Sequence, residues 1–183
     1  MDKKLLNQQS QHWEKSFSSK PEMFGSEPSH SAKIALENFQ KNNIKHIIEL
    51  GAGLGRDTIY FAKNSIKVTA LDYSPTAIKI IEDKSSSLGL SDFINVQTHD
   101  LKQNLNYKDN TFEGCYSHML YCMAFTYSEL EKLNNEVNRV LKKDSLNIYT
   151  VRNYTDADYK KGIHRGEDLY EMNGYIVHYF SDE

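Results

Sequence analysis

The stretch "ELGAGLGRD", residues 49–57, sets three glycines at alternate positions, directly after an apolar run and directly before a segment with helical spacing. Glycine at such a turn has two uses: it takes positive φ without penalty, and its missing Cβ lets a ligand touch the main chain. The run before it, "IKHIIEL" (44–50), is rich in β-branched residues and reads as a strand. The segment after it, from Arg56 and Asp57, opens a helix whose first N–H groups are free and whose dipole end is positive. In an open parallel sheet, ligands bind beyond the carboxyl ends of the strands where strand order reverses, and the turn after the first strand usually lies there. Residues 51–55 occupy that turn.

Working outward, "IKVTALD" (66–72), "INVQTHD" (94–100), "FEGCYSH" (112–118) and "LNIYTVR" (146–152) are further short runs of strand composition, each bounded by polar or glycine-containing stretches. Between them, "SPTAIKIIEDKSSSLGL" opens with Ser74 as N-cap and Pro75 at the first helical position, with Ile78, Ile81 and Leu88 on one face. "SELEKLNNEVNRVLKK" offers a capping box from Ser128 to Glu131 and apolar Leu130, Leu133, Val137, Val140 and Leu141 at helical spacing, with Lys142 and Lys143 at its end. Strand and helix in alternation mean parallel strands joined by right-handed crossovers. Two more helices are expected before the first strand, in "LLNQQSQHWEKSF" and "SHSAKIALENFQKN".

The 183 residues suffice for one domain with a real core. A formal charge of −3 with acids and bases interspersed gives no footprint for nucleic acid or an anionic membrane, so a small-molecule partner is expected. "MDKKLLNQQSQHWEKSF" has no apolar h-region, and the longest apolar run, 119–125, is too short to cross a bilayer; a cytoplasmic protein is expected. Cys115 and Cys122 share one apolar segment without CxxC spacing, and the seven histidines include no pair at a helical metal spacing, so neither a disulfide framework nor a metal site is expected. Nothing basic stands beside either cysteine to lower its pKa, so both read as core.

The glycine spacing separates cofactors. A dinucleotide fingerprint is G-x-G-x-x-G, whereas this chain reads E-x-G-x-G-x-G from Glu49 through Gly51, Gly53 and Gly55, and Asp72 and Asp100 stand at the ends of the second and third strand runs. This pattern resembles motif I of the class I S-adenosylmethionine-dependent methyltransferases. "LGAGLGRDTIYFAKN", "ALDYSPTAI" and "YSHMLYCMA" are similar to small-molecule members in the tellurite-resistance and thiopurine methyltransferase neighbourhood, and "FGSEPS" (24–29) to their N-terminal lid. The resemblance runs from about Phe24 to the C-terminus.

What it implies is a Rossmann-like parallel sheet of order 3-2-1-4-5 flanked by helices. The domain would comprise a helical lid (1–43), a cofactor-binding core (44–152) and a variable insert or tail (153–183). S-adenosyl-L-methionine would lie on Gly51, Ala52, Gly53 and Gly55, with Asp72 on the ribose hydroxyls, Asp100 on the adenine amino group, and Tyr73 and Leu101 flanking the ring. Glu49 and Ser117 complete the implied cofactor set, and His118, closing the fourth strand, faces the acceptor as a candidate proton acceptor. Each residue has a plainer reading: Asp72 as a helix cap, Asp100 as a turn former, Glu49 as a holder of backbone amides, His118 as a hydrogen-bond partner of its loop. Trp13, Phe24, Tyr121 and Phe125 are either acceptor walls or core. The acceptor is expected between Ser117 and His118 below, and the lid and the insert around His164 and Arg165 above.

Methyl transfer from a sulfonium needs alignment and exclusion of water rather than a triad or metal. Two other readings stay open: a cofactor-binding protein without turnover, and a nicotinamide-dependent oxidoreductase, for which the glycine spacing is wrong. The resemblance also implies a final helix and an antiparallel strand pair after strand five. "SDE" (181–183) is expected as the start of that helix, the chain as lacking the strand pair, and "LNIYTVR" as an open edge. Such an edge invites either the chain's own tail, through Ile176 and Val177, or a homodimer partner.

Overall fold

The structure is a computed structural model, and it describes residues 3–181. Two short helices lead, α1 (Lys3–Asn7) and α2 (Gln9–Ser19), followed by α3 (His30–Lys41). Then strand and helix alternate: β1 (His46–Leu50), α4 (Arg56–Lys63), β2 (Lys67–Asp72), α5 (Pro75–Ser87), β3 (Ile94–Thr98), β4 (Phe112–His118), α6 (Tyr127–Val140) and β5 (Leu141–Thr150). The five strands form one parallel sheet of order β3-β2-β1-β4-β5, as expected. Order reverses at β1, so the glycine turn lies at the crevice beside β4.

Successive β1 residues face opposite layers. Ile47 packs with Ala35 and Phe39 of α3 and Phe61 of α4, while Ile48 packs with Leu133, Val137 and Val140 of α6. The sheet is thus buried on both faces, which is why β1 and β2 read as nearly continuous apolar runs. Cys115 is fully buried in this core and Cys122 fully buried in the segment after β4, and burial pushes the Cys122 thiol up to about 11.

Several boundaries differ from the sequence reading. The box at the start of α6 is built by Thr126 and Glu129, not Ser128 and Glu131: Thr126 Oγ1 accepts from Glu129 N at 3.2 Å, and Glu129 Oε2 accepts from Thr126 N at 2.8 Å. Two S/T-x-x-E frames overlap here, and the one that leaves Leu130, Leu133 and Val137 buried prevails. The helix ends at Val140, so Lys142 and Lys143 are strand residues, and Arg139 is the cation in the last turn. Leu141 already pairs with Phe112, and Asp144, at φ 62°, sits in the irregular stretch before Leu146 meets Gly114. Leu88 is the exposed C-cap of α5; Ala77, Ile78 and Ile81 are the residues that bury. β3 stops at Thr98, leaving Asp100 in the turn beyond it.

The tail does not lie against β5. It forms a second sheet with β6 (Arg152–Asn153), β7 (Ile163–Gly166), β8 (Leu169–Met172) and β9 (Tyr175–Phe180), in the order β6-β9-β8-β7. Asn173 and Gly174, both at positive φ, make the two-residue turn between β8 and β9, the geometry that an Asn-Gly pair favours. Ile176 and Val177 therefore pair with Glu171 and Tyr170 instead of covering β5, whose outer edge has no strand partner among the described residues. Leu169 and Ile176 bury against Leu6 of α1 and Ala124. Residues 182–183, and with them most of the expected C-terminal helix start, lie outside the described residues. No helix among the described residues is long and apolar enough to cross a membrane.

The cap assignment is testable by denaturation: Thr126→Ala should cost about 1 kcal/mol of stability, and Ser128→Ala much less. Equal losses would mean that the frame is wrong.

Candidate functional site

The three glycines differ in what lies behind them. A Cβ on Gly51 would stand 2.8 Å from Leu120 Cδ1, and one on Gly55 would stand 2.5 Å from Ile81 Cγ1, so both positions are closed by packing. Gly55 also has φ 78° as the N-cap of α4. A Cβ on Gly53 would meet only Phe17 at 3.8 Å and Phe24 at 4.0 Å, across open space. The outer glycines thus fit the turn to the fold, and the middle one leaves main chain open to a ligand.

That opening belongs to a cavity of about 950 Å³, whose floor includes Glu49, Gly51, Ala52 and Gly53 and whose walls include Asp72, Tyr73, Asp100, Leu101 and His118. Asp72, almost fully buried, accepts from Gly53 N through Oδ2 and from Ser74 N through Oδ1, each at 2.9 Å. It therefore joins the loop after β1 to the end of β2. The helix cap itself is Ser74, whose Oγ accepts from Ala77 N, so both readings of this corner have a residue. Burial raises the Asp72 carboxyl to about 6 against the lowering effect of those N–H donors.

Glu49, also buried, accepts a 2.6 Å hydrogen bond from Thr58 Oγ1, and burial raises its carboxyl to about 8, with Asp57 and Asp72 adding repulsion. Asp100 makes the turn that its plainer reading anticipated, accepting from Lys102 N through Oδ1 at 3.0 Å, while still facing the cavity. Tyr73 and Leu101 stand beside the two acids. Ser117 is fully buried and does not line the cavity; strand alternation turns its neighbours Tyr116 and His118 the other way. His164 and Arg165 also stay outside, bonded to Glu167 O and the Glu171 carboxylate respectively.

The roof comes from α2 and the second sheet. Glu14 of α2 accepts hydrogen bonds from Ser74 Oγ and Thr76 Oγ1 at the start of α5; against the raising effect of burial, these donors hold its carboxyl below the ordinary value. On its other side Gln9 bonds Gly174 O at 2.9 Å and Ile176 N at 3.1 Å, and Trp13 packs on Tyr175. Phe24, at the start of the expected lid segment, lies over the loop under the Arg56 guanidinium. Trp13, Phe24 and Phe125 line the cavity as acceptor-wall candidates; Tyr121 does not and belongs to the core.

Sequence reasoning missed the polar cluster behind His118. Asp57 is buried and accepts from Ser29 N (2.8 Å), Ser29 Oγ (2.7 Å) and Tyr116 Oη (3.0 Å). Ser31 Oγ lies 2.9 Å from His118 Nδ1, and Thr150 Oγ1 lies 2.8 Å from the same nitrogen. Burial lowers the His118 pKa, opposed by Asp57 and aided by Arg56, which favours the neutral ring. The only signal in the sequence was the serine pair Ser29 and Ser31 at the start of α3.

A family model described as "Methyltransferase domain" matches residues 47–144, a span that holds the glycine loop, Asp72, Asp100 and His118. The chain belongs to this methyltransferase family. S-adenosylmethionine is the family's cofactor. The sterol 4-C-methyltransferase strm-1 of Caenorhabditis elegans is 26% identical over 106 residues, covering 58% of this chain and 30% of that relative, so the chain spans under a third of that relative's length. Among solved structures, an S-adenosylmethionine-dependent methyltransferase of Methanosarcina mazei aligns with TM-score 0.64 at 19% identity, covering 76% of this chain and 74% of that one. Coclaurine N-methyltransferase bound to N-methylheliamine and S-adenosylhomocysteine aligns with TM-score 0.53 at 20% identity, over 63% of this chain and 34% of that one. The [4+2]-cyclase SpnF shares the fold as well, with TM-score 0.55 at 22% identity, over 63% of this chain and 43% of that one. These likenesses establish the fold, and a cyclase among them means that the chemistry has to be argued from the site.

The residues present fit the cofactor: a carboxylate with lone pairs left for a diol, an open glycine for close approach, and apolar Leu101 beside Tyr73 for a ring. Among the described residues no group of three or more His, Cys, Asp or Glu is arranged to hold a metal.

Glu49 gives a pH test. A carboxyl raised from its ordinary 4.5 to about 8 binds more protons folded than unfolded, so it makes stability fall as pH rises across that interval. In urea melts at pH 5 and pH 8, Glu49→Gln should reduce this fall; an unchanged pH dependence would contradict the burial-driven shift.

Proposed function

We propose that this methyltransferase transfers the methyl group of S-adenosylmethionine to a small-molecule acceptor by in-line displacement. The observation that carries the reading is a single cavity bordered by Gly53, Asp72 and His118, so that a cofactor surface and a candidate proton acceptor share one enclosure. In the proposal Gly53 receives the cofactor against main chain, Asp72 accepts from the ribose hydroxyls through its remaining lone pairs, and Leu101 and Tyr73 enclose the adenine near Asp100. Glu49 stands at the floor as part of the same cofactor set. The cofactor when bound supplies an activated methyl on a sulfonium, the acceptor's lone pair forming the new bond as the carbon–sulfur pair passes to sulfur. What remains for the protein is to align the acceptor and exclude water, which Trp13 and Phe24 of the roof favour.

The resemblance to the tellurite-resistance and thiopurine neighbourhood, the acceptor's small size and a cytoplasmic location belong to the same proposal, as does the division into lid (1–43), core (44–152) and tail (153–183). Interspersed charge supports a small acceptor over a nucleic acid. The free β5 edge, with exposed Tyr149, supports a homodimer formed across it; light scattering that reads a monomer at every concentration would contradict that part.

Calorimetry with S-adenosylhomocysteine tests the cofactor site. Asp72→Ala should remove hydrogen bonds of about 1.5–3 kcal/mol and weaken binding about ten- to a hundredfold, and an unchanged affinity would overturn the assignment. Transfer of labelled methyl to a panel of small hydroxyl, amine and thiol compounds tests turnover. Label found only on bulk RNA, DNA or protein would overturn the small-molecule reading, and tight cofactor binding with no methylated acceptor would indicate a binding protein without turnover.

A further inference from the structure

The hydroxyls behind His118 have their protons assigned by counting. Asp57 Oδ2 accepts from both Ser29 Oγ and Tyr116 Oη, so those two protons point at the carboxylate. Ser31 Oγ lies 2.9 Å from Ser29 Oγ and 3.0 Å from Tyr116 Oη, and both of these oxygens can now only accept from it. Ser29 Oγ and Tyr116 Oη also lie 3.0 Å apart, a contact left without a proton once both donate to Asp57; if Ser31 gave its proton to His118, all three oxygen–oxygen contacts of this triangle would lack one. The arrangement that keeps a proton in the triangle has Ser31 sharing its single proton between Ser29 Oγ and Tyr116 Oη and accepting from Nδ1–H of His118 at 2.9 Å. Every donor in the chain then points toward Asp57, and each bond polarises the next.

The competing arrangement uses Thr150. Its Oγ1 accepts from Met119 N at 3.0 Å and lies 2.8 Å from Nδ1, so its own proton could enter a bare Nδ1 lone pair and leave the ring protonated at Nε2. The two arrangements differ in whether Nε2 presents a lone pair or an N–H to the cavity. Nε2 has no hydrogen-bond partner among the described residues, and His118 borders the cavity.

We infer that Asp57, acting through Ser29, Tyr116 and Ser31, is a positioning residue that holds His118 as the Nδ1–H tautomer with the Nε2 lone pair open to the cavity, poised to take a proton from an acceptor hydroxyl. The acceptor class rests on the proposed methyl transfer; the tautomer does not. In the step it serves, the proton leaves the acceptor oxygen for Nε2, whose lone pair becomes an N–H bond. The O–H electron pair stays on oxygen, and the imidazolium formed keeps Nδ1–H on Ser31 until Nε2 returns its proton to water. Burial favours the neutral ring that this requires, with Asp57 and Arg56 as the charged groups that shift it in opposite directions.

Long-range 15N–1H spectra of the histidine rings at neutral pH decide the tautomer without cofactor or acceptor. Wild-type His118 should carry its proton on Nδ1. In Ser31→Ala the proton should shift to Nε2 as Thr150 takes over Nδ1; Ser31→Thr should restore the wild-type pattern, and Thr150→Val should leave it unchanged. A wild-type ring protonated at Nε2, or a Ser31→Ala ring that keeps Nδ1–H, would overturn the relay. In the labelled-methyl panel, transfer to an alcohol or phenol should fall about tenfold or more in kcat with KM little changed in Ser31→Ala. Label on thiols alone would overturn the hydroxyl class. Failure to bind S-adenosylhomocysteine would refute the proposed function and leave the tautomer result standing.

Discussion

The hydrogen bond from Gly53 N–H to the Asp72 carboxylate is the constraint on which the rest of the site depends. It closes the loop after β1 onto the end of β2, and the second carboxylate oxygen holds Ser74 N–H, where α5 begins. Gly51 N and Ala52 N complete the closure on Leu71 O, at 2.8 Å and 3.0 Å. One buried acid therefore sets the relative position of two strands, a glycine loop and a helix N-terminus. Burying it is costly, as its raised pKa reflects, and the two N–H donors offset that cost. A carboxylate placed so has little freedom left, which suits a group meant to meet a ligand in one geometry.

A second buried acid, Asp57, does the same for the opposite wall. It anchors Ser29, the N-cap of α3, to Tyr116 on β4, and so fixes the segment that brings Phe24 over the loop. Glu14 repeats the device from above by holding α2 on the start of α5. The cavity is thus bounded by elements far apart in sequence, each fastened by a carboxylate that accepts from hydroxyls or main-chain N–H groups. Apolar packing alone, through the Trp13, Phe17 and Leu54 cluster, would hold these elements without fixing their register.

The parallel sheet and its order were legible because the governing signals are local. Apolar runs that bury on both faces, Pro75 after Ser74, and glycines at alternate positions each follow from short-range geometry. Asp72 and His118 could be placed because strand ends are legible, although β3 proved shorter than its run suggests and left Asp100 in a turn. Ser117 was paired with His118 by adjacency, but alternation along β4 sends consecutive residues to opposite faces. The second sheet carried one clear signal, Asn173-Gly174 between apolar runs, the composition of a two-residue hairpin turn. Glu14, Asp57 and Ser31 were not legible, since Asp57 meets Ser29, Glu14 meets Ser74 and Ser31 meets His118 across 28 to 87 residues and no spacing rule links them.

The space above Gly53 and beside Asp72 is the proposed seat of the cofactor. Backbone amide shifts of the 15N-labelled chain, titrated with S-adenosylhomocysteine, test it most directly. Saturable changes are expected, concentrated at Gly51 to Gly55 and Asp72 to Ser74, with the outer face of α6 unmoved. Saturation with these amides unchanged, or changes centred elsewhere, would contradict it.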